Sequence, residues 1–446
     1  MNKQTLIQPR TLKGFRDFLP ESMIPREQLI ETAKQVYRSY GFVPIETPTL
    51  EYSEILCGKG SDETDRQMFR FEDHGGRDVG MRFDLTVPLA RFVSQHSNEL
   101  GLPFKRYHVG MVWRGEKPQV GRYREFAQCD FDTIGTKSIT SDIETAMVIN
   151  DLMRAIGFEK FKIRINNRKV LNGLLQKFDL AEHSVGVLRC IDKLPKIGRE
   201  KVQQEMLEVT GADASQVEQI LGLADLTGSN EQILKQLSEI CAGNELAELG
   251  QGELAQIVEA LAAVGVTDQL QIDVSIARGL DYYTGTIFET FLDDLPKIGS
   301  VCSGGRYDNL AELFTKQQLP GVGASLGLDR LLAAMGTLEL IPPTRTTADV
   351  LIVQFSSDYV GHYLTIANSL RKAGIATEVY PDAKKLGNQF KYADRRGFRA
   401  VIVAGEDELA EQKVQVKWME DGSQHEIATS NDCGDLATWL SDRLKS

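Results

Sequence analysis

Arginine side chains recur in three short segments that also contain carboxylates, hydroxyl groups and closely spaced glycines. These segments are residues 106–132, 277–289 and 321–330. Arginine presents a planar fork of donors that binds phosphate and carboxylate oxygens in pairs. In the first segment Arg114 is followed, after a charged loop, by Gln128, Asp130 and Asp132 at alternate positions, which share one face if this stretch is a strand. Such a face suits a ligand that carries both phosphate or carboxylate groups and amino groups, although a solvated hairpin that exchanges salt bridges has the same spacing.

Other polar residues also have both a chemical and a structural interpretation. Asp84 and Thr86 lie at a predicted strand-to-helix junction, where a carboxylate pairs with a buried ammonium group or caps the helix. Tyr282 and Tyr283 offer a ring wall and hydroxyl groups to a heterocyclic ligand, or they pack in the core. No catalytic dyad, metal-ligand cluster or Walker loop stands out in the sequence, so the residues predict no metal site.

Composition and charge limit the class of protein. A chain of 446 residues should hold two or three domains, and 42% hydrophobic with 26% charged residues is typical of a globular protein. No apolar run is long enough to cross a membrane, and the N-terminus lacks the apolar core of a signal peptide. The net charge of −12 argues against nonspecific nucleic-acid binding but not against a local basic surface. Six scattered cysteines without a CxxC pair argue against structural zinc and predict a cytoplasmic location.

Hydrophobic periodicity predicts an antiparallel sheet with helices, an α+β core, ahead of residue 340. Two long strands at residues 104–113 and 124–134 form a hairpin around the charged loop. Pro44 and Pro48 place an earlier strand, at residues 42–49, at a sheet edge or an interface, because proline lacks a backbone N–H. The other predicted strands are residues 68–71, 80–83, 161–166, 271–276, 286–292 and 300–303. The predicted helices are one that ends near residue 40 and those at residues 85–95, 142–156 and 326–335.

Changes in character divide the chain into domains. Residues 169–265 are rich in Leu, Glu, Gln and Ala at helical spacing, which predicts a mostly helical insertion. Residues 341–347 contain adjacent prolines and form a linker. Beyond them, apolar strands at residues 349–355, 377–380 and 399–404 alternate with helices, as in a small α/β domain with a partly parallel sheet. We therefore predict a core in two parts, residues 1–168 and 266–340, with an insertion at 169–265 and a C-terminal domain at 347–446.

The arginine-bearing segments resemble the motifs of class II aminoacyl-tRNA synthetases in their histidyl form. Residues 106–132 resemble motif 2 and residues 321–330 resemble motif 3, while the helix near residue 40 and the strand after it correspond to motif 1. Residues 278–289 and 303–308 resemble the two histidyl signatures, and residues 13–20 match the usual N-terminal segment. From these motifs in this order, the chain is identified as a member of the histidyl-tRNA synthetase family.

The resemblance implies a role for each candidate residue. Asp84, Leu85 and Thr86 are implied at the α-amino group of histidine, and Gln128 and Asp132 elsewhere on that substrate. Tyr282 and Tyr283 are implied beside the imidazole ring.

For ATP, the resemblance implies Arg114 at the α-phosphate and the histidine carboxylate. It implies Glu116 and Arg122 near adenine and the γ-phosphate, and Arg330 stacked on adenine. Arg278 is implied, with Arg114, as a catalytic residue that contacts the α-phosphate while histidine attacks it.

The reaction that the resemblance implies has two steps. L-Histidine and ATP form histidyl-adenylate and pyrophosphate, with Mg²⁺ neutralising the pyrophosphate, and the histidyl group then moves to the 3′ end of histidine tRNA. The family also implies a homodimer formed through motif 1 and a C-terminal domain that binds the anticodon. Cations and aromatic residues there suit single-stranded RNA, although a solvated amphipathic helix has the same pattern. They are Lys384, Lys385, Phe390, Lys391, Tyr392, Arg395, Arg396 and Arg399.

A second function remains open for such a chain. Some members of this family act as regulatory subunits of the ATP phosphoribosyltransferase of histidine biosynthesis. They usually lack the C-terminal domain and the arginine of the first signature. Arg278 and the segment after Pro343 are both present, which favours the enzyme.

Overall fold

A computed structural model of the chain describes residues 7–57, 66–118, 122–276, 282–341 and 345–445. The chain divides into two compact units. The first comprises Met1–Arg16 and Leu29–Leu340, and the second comprises Asp17–Gln28 and Ile341–Ser446. Across the described ranges, no helix has the length and apolar character needed to cross a membrane.

The strands of the described residues are numbered in chain order. They are β1 Val43–Pro44, β2 Leu50–Tyr52, β3 Arg70–Glu72, β4 Asp78–Met81, β5 Phe104–Trp113, β6 Glu125–Ile134, β7 Phe161–Asn167, β8 Leu270–Ile272, β9 Thr286–Leu292, β10 Cys302–Tyr307, β11 Gly321–Gly327, β12 Val350–Ile352, β13 Thr377–Val379, β14 Ala400–Val403, β15 Lys413–Trp418 and β16 Gln424–Ala428.

The helices are numbered in the same way. They are α1 Pro20–Ser39, α2 Ser53–Cys57, α3 Thr86–Leu100, α4 Ile139–Ile156, α5 Arg168–Lys177, α6 Ser184–Asp192, α7 Leu194–Ile197, α8 Arg199–Thr210, α9 Ala214–Ala224, α10 Asn230–Cys241, α11 Glu245–Ala263, α12 Leu328–Thr337, α13 Val360–Lys372, α14 Leu386–Arg396, α15 Glu406–Ala410 and α16 Ser430–Leu444.

The main sheet of the first unit has the order β1-β5-β6-β11-β10-β9-β7-β8 among the described strands. Its neighbours are antiparallel except for the parallel pairs β1–β5 and β7–β8 at its two ends. This arrangement confirms the predicted α+β core. The position of β1 at one end also confirms the expectation drawn from Pro44, because an edge strand does not need every N–H for the ladder.

The two faces of the long hairpin β5–β6 differ in chemistry because side chains alternate along a strand. Tyr107 and Phe131 face the apolar core, where both rings pack against Tyr37 at centroid distances of 5.7 and 5.1 Å. The Tyr37 hydroxyl donates a hydrogen bond to the carbonyl oxygen of Cys129, at 3.1 Å. The residues between these positions therefore point to the opposite face, where the polar row of β6 lies.

Helices α5 to α11 fill the chain between β7 and β8, in agreement with the predicted helical character of residues 169–265. Asp213 and Ser229 start two of these helices with reciprocal capping boxes, which satisfy backbone N–H groups that a helix leaves unpaired. Val202, Leu237 and Leu254 are among the fully buried side chains that join the helices. Whether this segment is a separate domain stays a prediction.

The second unit contains a sheet with the order β13-β12-β14-β15-β16. The pairs of β12 with β13 and β14 are parallel, as predicted, whereas β15 and β16 form an antiparallel extension that the sequence did not predict. Lys385, which precedes α14, and Lys391 and Arg395 on α14 are exposed. Tyr392 instead donates a hydrogen bond to Glu378, and Arg399 donates to the carbonyl oxygen of Leu444 at 2.6 Å.

Some predicted boundaries were wrong. β3 begins later than expected, at Arg70, and β4 begins earlier, at Asp78, because the Asp73 carboxylate accepts from the N–H groups of Gly75 and Arg77 and tightens the turn between them. The strand predicted at residues 271–276 ends at Ile272, where the Asp273 carboxylate accepts from the Ser275 N–H at 3.0 Å. α12 starts at Leu328 because β11 continues to Gly327.

Candidate active site

A cavity of about 800 Å³ lies on the polar face of the main sheet. A smaller cavity of about 280 Å³ shares part of its wall, including Arg114, Gln128 and Arg330. Most of the residues predicted from the sequence line the larger cavity, namely Asp84, Thr86, Arg114, Arg122, Gln128, Asp132, Tyr283 and Arg330. Glu116 lines the smaller one.

Three predicted residues are placed differently. The Leu85 side chain is fully buried at the start of α3. Tyr282 packs edge-on against Tyr283 and Tyr307, with ring centroids 5.3 and 5.9 Å apart, and thereby supports the tyrosines that line the cavity. Arg278 lies outside the described residues.

Arg114 follows β5 and is held by both backbone and aromatic contacts. Its Nε donates to the carbonyl oxygen of Phe83 at 3.2 Å. Its guanidinium carbon lies 4.4 Å from the centroid of the Phe83 ring and 5.1 Å from that of Phe126. Burial lowers the pKa of Arg114, but arginine starts so high that the group stays cationic at neutral pH. The result is a preplaced cation in the cavity wall.

Asp84 both caps α3 and lines the cavity. One carboxylate oxygen, Oδ1, accepts from the N–H groups of Thr86 and Val87, at 3.1 and 3.0 Å. Burial raises the pKa of Asp84, while these hydrogen bonds and the charge of Arg114 act in the opposite direction. Asp84 can therefore cap the helix with one carboxylate oxygen and still face the cavity, where a carboxylate could pair with an ammonium group.

The polar row of β6 is anchored by neighbouring strands. Gln128 Nε2 donates to Ser325 Oγ at 2.8 Å. Tyr307 Oη donates to Asp132 Oδ1 at 2.5 Å, and Arg106 Nη2 lies 2.6 Å from Asp132 Oδ2. Burial raises the pKa of Asp132, and the charge of Arg106 opposes that increase. Asp132 is thus a buried carboxylate held from both sides.

Glycine on β11 keeps this part of the floor open. Gly323 pairs with Asp132 across the ladder, and a Cβ there would lie 2.2 Å from the carbonyl oxygen of Phe131 and 2.4 Å from Asp132 Oδ1. These distances are shorter than any van der Waals contact, so only glycine leaves the carboxylate in place.

The opposite side of the cavity is lined by cations from two elements. Arg330, near the start of α12, donates from Nη1 to the carbonyl oxygen of Ser300. Arg122 Nη1 lies 3.8 Å from Glu116 Oε2, and about half of the Arg122 side chain is exposed. The weak pairing leaves Arg122 able to turn toward an anionic ligand.

The N-terminal segment supports the loop between β5 and β6. Arg16 forms an ion pair with Asp329, and its guanidinium carbon lies 3.4 Å from the centre of the Tyr123 ring. Asp329 Oδ2 also accepts from the N–H of Ala127, at 3.1 Å. These contacts join the first residues of α12 to the hairpin.

Several residues that line the cavity were given no individual role from the sequence, among them Asp130, Glu289, Lys297, Tyr307 and Ser325. Asp130 was detectable because it alternates with Gln128 and Asp132 on one strand. Tyr307 belongs to a segment with a known signature. Ser325 likewise belongs to the segment that resembles motif 3, whereas Lys297 has no signal in the sequence, since tertiary folding alone brings it to the cavity.

The sequence of the chain is similar to those of known proteins. A sequence model of the family described as Histidyl-tRNA synthetase matches residues 14–331, and one described as Anticodon binding domain matches residues 349–434. A curated histidine–tRNA ligase from Rhodopirellula baltica is 59% identical over 431 residues, covering 96% of this chain and 98% of the relative.

Solved structures share the fold. The crystal structure of histidyl-tRNA synthetase from Nostoc sp. PCC 7120 superposes with a TM-score of 0.87 at 36% identity, covering 98% of this chain and 100% of that chain. A structure described as an ATP phosphoribosyltransferase regulatory subunit/histidyl-tRNA synthetase from Bacillus halodurans C has a TM-score of 0.74 at 22% identity. It covers 89% of this chain and 99% of its own, and it shows a common fold alone. Given the extent of the family match, the chain belongs to the histidyl-tRNA synthetase family.

Proposed function

We propose that the chain activates L-histidine with ATP to histidyl-adenylate and transfers the histidyl group to the 3′ end of histidine tRNA. Membership of the histidyl-tRNA synthetase family supports this ligase activity. The observation that carries the proposed site is that buried carboxylates and arginines line one and the same cavity. An amino acid and a nucleoside triphosphate need those two kinds of partner side by side.

Histidine lies along the polar row of β6 in this proposal. The carboxylate of Asp84, with the hydroxyl of Thr86, pairs with the α-ammonium group. Gln128 and Asp132 contact the rest of the amino acid, and Tyr283 provides a wall for the imidazole ring. Burial favours these contacts, because hydrogen bonds to charged groups are stronger where water is excluded.

ATP lies toward the arginines. Arg114 bridges the α-phosphate and the histidine carboxylate and so brings the two reacting groups together. Arg330 stacks on adenine, and Arg122 with Glu116 contacts the adenine and γ-phosphate region. The transition state gathers negative charge on the phosphoryl oxygens, which a fixed guanidinium group stabilises without reorganisation.

Arg278, which lies outside the described residues, remains the proposed second catalytic cation. Mg²⁺ fits the donors present, since it is usually held by one or two carboxylates together with substrate phosphates. Glu116 and Glu289 are carboxylates of the cavity walls that suit this role. When bound, Mg²⁺ would neutralise the charge of the pyrophosphate.

Histidine-dependent ATP–pyrophosphate exchange tests the activation step. We expect exchange with histidine alone among the amino acids, and a decrease in kcat of about 10²–10³-fold in Arg114→Ala and in Arg278→Ala. Arg70→Ala is the matched control, because this exposed arginine on β3 pairs with Asp78 at the surface. A folded wild-type protein that binds histidine without exchange would contradict the proposal and favour the regulatory function.

The partners and organisation follow from the same proposal. The match of residues 349–434 to an anticodon-binding domain supports contact with tRNA and argues against the regulatory alternative. We keep the predicted domains as a proposal. Residues 1–168 and 266–340 carry catalysis, residues 169–265 contact the acceptor stem of the tRNA, and residues 347–446 bind the anticodon. The cytoplasm remains the proposed location.

A homodimer through the motif 1 element is also proposed. Val43 on β1 of this element is 47% exposed, and Leu50, Tyr52 and Phe71 on β2 and β3, which follow it in the chain, are between 44% and 48% exposed, so large apolar side chains are available for an interface. Sedimentation of wild type and Tyr52→Glu would test it. A dimer that dissociates in the variant is the expected result, and a wild-type monomer would contradict it.

A further inference from the structure

Asp130 stands between Gln128 and Asp132 on the polar face of β6. In the sheet it pairs with His108 on β5 and Ser325 on β11. Its side chain lines the large cavity and yet is only 3% exposed. A carboxylate so deeply buried needs partners for its charge or must take up a proton.

The neighbouring Asp132 already has such partners. Tyr307 donates to one of its oxygens, and the guanidinium group of Arg106 lies beside the other. Arg106 is itself fully buried, and no other ion pair with it is present among the described residues. Arg106 therefore pairs directly with Asp132, while Asp130 feels only the electrostatic influence of its charge.

Asp130 lacks an equivalent set of partners. Within the described ranges, its Oδ1 has no hydrogen-bond partner, and its one side-chain hydrogen bond is with Ser325. Burial raises the pKa of Asp130 to about 7, and the nearby charge of Asp132 adds to the increase, while Arg106 opposes it. The carboxyl group can therefore exist with or without its proton near neutral pH.

Among the described residues, no cationic side chain forms an ion pair with Asp130 itself, although the charges of Arg106 and Arg82 act on it. His108 is 2% exposed, and burial together with Arg106 and Arg82 lowers its pKa to about 3, so its ring is neutral. Arg82 donates hydrogen bonds to two backbone carbonyl oxygens, from Nε to Met111 at 2.8 Å and from Nη1 to Thr47 at 2.7 Å. Two carboxyl groups thus share the charge of Arg106 at the floor of the cavity.

We infer that Asp130 is a second recognition residue for the imidazole ring of histidine, bonding one ring nitrogen while Asp132 bonds the other. This inference rests on the proposed function. A single proton lies between Asp130 and the imidazole nitrogen that it faces. Either the neutral carboxyl group of Asp130 donates this proton to the lone pair of the nitrogen, or the Asp130 carboxylate accepts a hydrogen bond from the N–H of the ring. The proton moves between the two without any other reactant.

The physical reason for two recognition residues is the chemistry of the ring. A neutral imidazole has one N–H donor and one acceptor nitrogen, and each costs free energy when it is buried without a partner. Asp132 satisfies one nitrogen. Asp130 satisfies the other. A ligand whose side chain has only one polar atom would leave Asp130 without a partner, and a polar site discriminates strongly between ligands in this way.

The test is ATP–pyrophosphate exchange with the full chain, in wild type, Asp130→Ala and Asp130→Asn. We expect Asp130→Ala to raise the KM for histidine about 10- to 100-fold, as loss of a hydrogen bond to a charged group does, with the KM for ATP changed less than about twofold. Asp78→Asn on the surface of β4 is the matched control and should behave as wild type. Asp130→Asn keeps the shape of the side chain and guards against a folding defect in the alanine variant.

A second measurement separates recognition from a purely structural role. Histidine methylated on one or the other ring nitrogen is compared with histidine as substrate. In wild type the methyl group that faces Asp130 should block activity, and in Asp130→Ala the kcat/KM of that analogue relative to histidine should rise at least about tenfold. A histidine KM within about twofold of wild type in both Asp130 variants, or an unchanged preference between the analogues, would overturn the inference. Absence of exchange in wild type would instead overturn the proposed function.

Discussion

Burial controls the ionisation of the acidic residues in the cavity. Asp84, Asp130 and Asp132 are between 3% and 5% exposed, and in each case loss of water is the largest contribution to the increase in pKa. They differ in how that increase is opposed. At Asp84, hydrogen bonds from backbone N–H groups oppose the increase in pKa. At Asp132, the charge of Arg106 and the hydrogen bond from Tyr307 oppose it. Three side chains of the same type therefore ionise differently, because their surroundings differ.

The ionisation of Asp130 should be visible in the stability of the ligand-free protein. Its folded pKa is raised to about 7, so the folded state holds a proton that the unfolded state has already lost at mildly acidic pH. The stability from this group is therefore complete at low pH and is lost as the pH rises through about 7. Asp130→Asn removes this dependence. Its stability relative to wild type should therefore rise, through a larger free energy of unfolding, by on the order of 2 kcal/mol between about pH 5 and pH 8.

Thermal or urea unfolding at the two pH values measures this difference. The control is Asp78→Asn, whose carboxylate lies at the surface. The same difference from wild type at both pH values would show that Asp130 ionises normally.

The hydroxyl of Tyr307 should contribute to histidine binding through Asp132. Its hydrogen bond at 2.5 Å opposes the increase that burial causes in the pKa of Asp132. In Tyr307→Phe we expect kcat/KM for histidine to fall about tenfold, and to fall further as the pH is lowered, because Asp132 then takes up its proton more readily. Steady-state exchange over a range of pH checks both effects.

Tyr40→Phe is the control for that variant. It removes the same kind of hydrogen bond, from Tyr40 to Asp151, at a site that does not line the cavity. Equal losses in the two variants would contradict the role given to Tyr307.

At the scale of the elements, the antiparallel ladder brings distant parts of the chain to one floor. β6 pairs with β5 on one side and with β11 on the other, although β11 follows it by almost two hundred residues in sequence. The strands must approach closely there, and Gly323 makes room for Asp132. The helices cover the other face and leave the polar face to the ligands.

Gly323→Ala should damage both stability and histidine binding. The new Cβ would meet backbone and the Asp132 carboxylate at 2.2 and 2.4 Å, and neither can move without breaking the ladder or the contact with Arg106. We expect a loss of about 1–3 kcal/mol in the free energy of unfolding and an increase in the KM for histidine.

Gly252→Ala is a matched control on α11, where the added Cβ meets no atom within 4 Å. It should leave exchange unchanged and stabilise the protein by up to about 1 kcal/mol, because alanine favours a helix over glycine. A Gly323→Ala variant with normal stability and normal KM would contradict the account of β11.

At the scale of the whole molecule, the two units carry different chemistry. The cavity and its arginines belong to the first unit, while the exposed cations of α14 belong to the second. Amino-acid activation and tRNA recognition should therefore respond to different substitutions.

Replacing Lys385, Lys391 and Arg395 together by alanine should weaken tRNA binding and leave ATP–pyrophosphate exchange unchanged. Loss of phosphate contacts also makes binding less sensitive to salt, by about one unit of log–log slope for each contact removed. Aminoacylation at several salt concentrations, beside exchange, measures both. Unchanged aminoacylation at every salt concentration would show that this face of α14 does not bind tRNA.

The sequence by itself determined the family and most of the local structure. β5 and β9 begin and end at the residues predicted from the sequence, because each is a run rich in strand-forming residues that is bounded by proline, glycine or aspartate. The motif residues of the hairpin and of β11 were also identifiable, since their chemistry and spacing are local properties of the chain.

Only the tertiary structure decided which partner each polar group obtains. Arg106, Asp132 and Tyr307 come from three strands, so their buried cluster has no local signal. The same holds for Asp130, whose Oδ1 has no hydrogen-bond partner in the part of the chain that the structure describes and whose pKa depends on burial that no single segment specifies. β15 and β16 were missed because short polar-alternating strands gain their stability from pairing with β14 rather than from their own residues. Side-chain periodicity is local and was readable, whereas burial and charge pairing depend on the whole fold.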